Sequence, residues 1–162
     1  MTTSSWRSLP EPARVIASTV TDAAAAAGAR DLDAYRDVGA RLAALNSEQV
    51  AVVVGAVVRS LLEELHPDGL DGDDLRAVLE RCVRSAAGWL PQVDVDVLVV
   101  LLTGALGVHQ PEAEPRILAP LDVALHAPLL LVDLLGVSGR PLAGYLTAAL
   151  AEVARAETVE LP

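Results

Sequence analysis

The chain has 162 residues, 52% of them hydrophobic, and its 22 acidic and 12 basic side chains leave a net charge of −10. That length suits one domain with a real core, and so apolar a composition excludes intrinsic disorder over most of the chain. The negative surplus repels the phosphate backbone that supplies most nucleic-acid affinity, which excludes DNA or RNA as the main partner.

All 12 basic residues are Arg, Phe is absent, Asn occurs once (Asn46) and Ile twice (Ile16, Ile117). The depleted residues are those with AT-rich codons, so the bias points to a high-GC bacterial genome and the all-Arg surface is no sign of phosphate recognition. One cysteine, Cys82, forms no internal disulfide, and the first residues lack the apolar stretch of a secretory signal. A cytoplasmic address is expected.

In chain order, residues 1–9 are expected to be a loose tail, 10–157 a helical domain and 158–162 a second tail. Pro10 to about Ala27 reads as a helix through Val15, Ile16, Val20 and an alanine run, with Gly28 as its stop. Asp31–Leu45 reads as the next, carrying Leu32, Tyr35, Val38 and Leu42 inward. Val50, Val53, Val54, Val57, Val58, Leu61, Leu62 and Leu65 then recur at helical spacing, with Asn46 or Ser47 as N-cap and Pro67 as the stop. The helix from Asp71–Asp74 to about Trp89 turns Leu75, Val78, Leu79, Cys82, Val83 and Ala86 inward and Arg76, Glu80, Arg81 and Arg84 outward.

Val93–Val97 alternates as a strand would, but no turn signal interrupts the apolar run that follows before Gly107, so a helix is expected. The run Val97–Val108 spans only about 18 Å as a helix, against the ~30 Å of a bilayer core, and reads as a buried core helix. Val123–Val137 is interrupted by His126, Pro128 and Asp133, which argues against a membrane span. Leu106-Gly107-Val108 and Leu135-Gly136-Val137 both offer glycine as a left-handed helix cap, a shared capping solution rather than a repeat array. Pro141 opens a last helix through Leu142, Tyr145, Leu146, Ala149, Leu150 and Val153. The sum is an all-α fold: an irregular bundle of about six or seven helices in a single domain.

The chemistry is sparse. Residues 108–121 hold three prolines with His109, Gln110, Glu112, Glu114 and Arg116. A loop this long in a compact domain is often functional, so it is the candidate ligand or partner loop. His109, Glu112 and Glu114, with His126 folding back, match none of the established zinc spacings, and a solvated loop is the better reading. The acidic turn at 66–74 fails the calcium-loop spacing for lack of a closing Glu. Cys82 shares the apolar stripe of its helix and reads as a buried structural thiol. No nucleophile elbow, phosphate loop or dinucleotide fingerprint is present, so no catalytic, cofactor or metal residue is assigned. Of the carboxylates Asp94, Asp96 and Asp133, the last is the most informative: among Leu131, Val132, Leu134 and Leu135 it is either exposed or paired, with Arg116 or Arg140 as partners.

Leu- and Val-rich helices on nearly every segment leave apolar surface that a lone copy cannot cover. The outlets are a homodimer or protein-partner interface and, as the alternative, a pocket for a small apolar ligand gated by 108–121, with no membrane or nucleic-acid role. The first is favoured because aromatics, which often line pockets, number only four: Trp6, Tyr35, Trp89 and Tyr145. An enzyme ranks third, since no residue set names a reaction.

Overall fold

The computed structural model describes residues 6–108 and 117–160, the side chains of 159 and 160 excepted. Among the described residues seven helices follow one another: α1 (Glu11–Ala29), α2 (Leu32–Ala43), α3 (Ser47–Leu65), α4 (Gly72–Ala87), α5 (Val95–Leu106), α6 (Pro120–Ser138) and α7 (Leu142–Glu160). The protein is a single all-α domain. α6 is its axis, touched by α1, α2, α3, α4 and α5, while α3 packs on α6 with α5 and α7 at its sides.

Local chemistry sets most of the helix boundaries. Asp31 caps α2 through the Ala34 N–H, and Asn46 caps α3 through that of Gln49. Asp71 and Asp74 form a reciprocal capping box on α4, satisfying two of the N–H groups a helix start leaves open. Asp94 caps α5, so the alternating 93–97 stretch is indeed the start of a helix, and Gly107 ends it in the left-handed conformation (φ 69°).

Two expected stops are corrected. Gly28 lies inside α1, and the left-handed residue is Arg30 (φ 55°), whose N–H reaches the Ala26 and Ala27 carbonyls. Gly136 lies inside α6, which runs on to Gly139 (φ 71°). The two Leu-Gly-Val triplets therefore do not share a capping role.

The main core joins Ile16 and Val20 of α1, the Val50–Leu62 stripe of α3, Leu98 and Leu102 of α5, Leu130, Leu131 and Leu134 of α6, and Leu146 and Leu150 of α7. A smaller cluster of Ala27, Tyr35, Ala86, Leu90, Leu125 and Leu129 fills the place where α1, α2 and α4 meet α6. There α2 approaches α6 so closely that a Cβ on Gly39 would lie 2.8 Å from Leu125 Cδ2. Trp6, inside the segment expected to be loose, is 3% exposed, and its indole N–H donates to Thr147 Oγ1 at 3.1 Å. At the other end, α7 continues past Glu157 to Glu160.

Among the described residues one unbroken helix, α6, is long and apolar enough to cross a membrane, but half of its apolar window is already buried inside the bundle. Most of its apolar residues are spent on the core, where His126 and Pro128 are buried as well, while Leu121 and Val137 stay exposed.

Candidate functional site

α5 departs most from expectation. Its sequence, VDVLVVLLTGAL, is apolar around nearly the whole helix, the pattern of a helix enclosed on every side. Yet only Val97, Leu98 and Leu102 are fully buried, so the expected core helix is a peripheral one. Val99, Val100, Leu101, Ala105 and Leu106 are only partly buried. Beside them runs a groove of about 570 Å³ walled by α3 (Val52, Gly55, Arg59, Glu63) and α5 (Val100, Leu101, Gly104, Ala105). Val123, Ala127 and Leu130 of α6 also line it, together with Glu152 of α7. The groove exists because both walls carry glycine and alanine where the neighbouring turns carry valine and leucine: a Cβ added at Gly55 or Gly104 meets nothing within 4 Å. Val52 lines it with 55% of its surface exposed, an uncommon position for a valine in a closed core.

A second, smaller cleft of about 310 Å³ lies between α4 and α6, with Trp89, Leu129, Val132 and Val137 around an ion pair. Arg81 Nε and Nη2 donate to the two oxygens of Asp133 at 3.1 and 3.0 Å, a bidentate geometry that fixes both side chains. The expected partners are thereby corrected: Arg140 bonds Glu64 instead, at 3.1 Å. Arg81, expected to point outward, keeps 41% of its side chain exposed while its guanidinium pairs with Asp133. The Asp133 hydrogen bond raises the Arg81 pKa above its ordinary range despite partial burial.

Cys82, next in the chain, is 2% exposed. Burial, aided by the Asp133 charge and opposed by Arg81, pushes its thiol from an ordinary 9.0 up to about 12. Tyr35 is likewise moved well above its ordinary 10.0 by burial. Both groups hold their protons more tightly folded than unfolded, so their contribution to stability is complete below about pH 9 and drains away as pH rises toward 12. Melting temperature should be level from neutral pH to about pH 8.5 and fall steadily above about pH 9. Ellman's reagent should leave the native thiol untouched at about pH 8 and titrate it in denaturant; native labelling at the unfolded rate would contradict the burial argument.

His126 is a satisfied core histidine. Its Nδ1 donates to the Asp122 carbonyl at 2.8 Å, and its Nε2 accepts the Asp94 N–H at 3.0 Å, which together specify the Nδ1–H tautomer. Neither nitrogen is left for a metal. His109, Gln110, Glu112, Glu114 and Arg116 lie outside the described residues. Among the described residues, no group of three or more His, Cys, Asp or Glu is placed to hold a metal ion. Asp94 and Asp96 act on the start of α5, one as its cap and the other in its first turn. Sequence reasoning missed the groove itself; its one signal was the Gly55 and Gly104 pair in helices otherwise rich in valine and leucine.

Comparison of the chain with family models, curated proteins and solved structures finds no match.

Proposed function

We infer that the chain is a non-enzymatic helical interaction module that docks an apolar helical surface, of a second copy or of another protein, in the groove between α3 and α5. The observation that carries this reading is the mismatch in α5, apolar on nearly every side but buried at three of its twelve residues. Apolar surface left open to water at an otherwise well-packed bundle is the usual mark of an interaction site. A cytoplasmic address belongs to the same reading, supported by the core role of α6.

A small apolar ligand is the second reading. The groove volume lies within the usual range for such sites. It is less well supported, because the groove is an open trough along two helices and no aromatic side chain lines it.

Gly104→Leu places a side chain in the open space of the groove and removes a glycine from a helix interior, so the variant should fold at least as stably as the parent. Wild-type protein should brighten Nile red, or, where copies occupy the groove, gain mass with concentration in light scattering. Gly104→Leu should abolish whichever is seen. A wild-type monomer that leaves the dye dark refutes the reading.

A further inference from the structure

The charges around the groove identify its occupant more closely. α3, α5 and α6, which form it, hold six acidic residues (Glu48, Glu63, Glu64, Asp96, Asp122 and Asp133) and a single basic one, Arg59. Arg59, which also lines the groove, pairs with Glu63 at 3.3 Å, and α7, which adds Glu152, carries one arginine, Arg155. Among the described residues, Glu64 and Asp133 of this set are the ones neutralised by arginines from elsewhere, Arg140 and Arg81. Glu63 and Glu152 stand on the lining of the groove itself, and Glu48 and Asp96 are exposed on α3 and α5 outside it. The result is an apolar trough set in a negative field.

We propose that the groove binds an amphipathic α-helix with a basic polar face, contributed by a different protein. The proposal rests on the docking reading above and names the partner that reading leaves open. The lining runs along α3 from residue 51 to 63, so the trough is about 18 Å long and accommodates about three turns of helix, with apolar side chains at i, i+3 or i+4, and i+7 on Val52, Leu101 and Val123. Gly55 and Gly104 let that helix approach closely, and its arginines or lysines then meet Glu63 and Glu152 at the rim, where complementary charge sets partner choice and on-rate. A second copy fits badly. Two-fold pairing puts the same face against itself, bringing together two acidic sets on chains that each carry −10.

The test is fluorescence anisotropy with three labelled peptides of about 15 residues. One carries leucines on one helical face and arginines on the other, the second replaces Arg by Glu, and the third scrambles the Leu/Arg sequence. The Leu/Arg helix should bind, at least about tenfold tighter than either control, and weaken several-fold as salt rises from about 0.05 to 0.5 M. Gly55→Leu and Gly104→Leu, with helicity intact by circular dichroism, should lose the binding; Glu63→Gln with Glu152→Gln should weaken it and flatten the salt dependence. Equal binding of the scrambled peptide, or binding undiminished in Gly104→Leu, overturns the proposal. A wild-type dimer dissolved by Gly104→Leu, with no peptide binding, overturns the basic helix while leaving the docking reading intact. A monomer that binds neither peptide nor dye overturns both.

Discussion

Truncating Tyr35 to alanine should destabilise the protein by about 3–5 kcal/mol, whereas phenylalanine at the same position should cost about 1 kcal/mol. The ring is fully buried in the smaller cluster and stands edge-on to Trp89, with centroids 5.1 Å apart and planes at 79°. Its hydroxyl donates to the Leu125 carbonyl at 2.7 Å. That carbonyl lies one residue past the Ala124 carbonyl, which loses its ordinary i+4 partner to Pro128, a residue with no N–H. The phenol thus supplies a polar contact where the proline loosens the α6 ladder. Alanine opens a cavity among Leu90, Leu125 and Leu129 and removes that contact, whereas phenylalanine fills the space and loses only the hydrogen bond. Urea unfolding should show midpoints ordered wild type, Phe, Ala with similar m-values. A Phe variant as weak as the Ala variant would mean that the hydroxyl, not the ring, holds α2 to α6.

Much of this architecture was legible because its cues are local. The Val50–Leu62 stripe has a 3.6-residue period, and Asn46, Asp71 and Asp94 each sit one position before the helix they cap. Where local cues competed, the sequence misled. Gly28 is the better left-handed residue in isolation, but α1 continues to Ala29 because Asp31 must stand immediately before α2, and Arg30 takes the turn at a modest steric cost. Gly136 is passed over in the same way: α6 keeps Leu134 buried and closes when the Gly139 N–H finds the Leu135 carbonyl. Contacts between distant residues were beyond reach. Arg81 and Asp133 are 52 residues apart, and nothing in either helix names the other. The same holds for His126 and the Asp94 N–H, 32 residues apart. α5 misled for a different reason. Composition tells how apolar a helix is but not how many neighbours it has, and its packing neighbours here are α3, α4 and α6.

His126 ties α6 to the start of α5, one wall of the groove, and His126→Ala should cost about 2–4 kcal/mol. The imidazole is 2% exposed and joins α6 to the residue that caps α5, accepting the Asp94 N–H while Asp94 Oδ1 accepts that of Asp96. Alanine removes a buried ring, orphans the Asp94 donor and frees the first turn of α5 from α6. Glutamine reaches about as far as Nε2 and can accept the same N–H, so His126→Gln should recover part of the loss. The two truncations then separate stability from function. Tyr35→Ala acts in the cluster away from the groove and should leave α5 protected, whereas His126→Ala should raise amide exchange across 95–106 well beyond the global change. Because Val100, Leu101 and Gly104 form one wall of the groove, the same variant should weaken binding of the Leu/Arg helix under conditions where both proteins remain folded. Unchanged exchange in α5 would show that Val97, Leu98 and Leu102 hold that wall without the histidine.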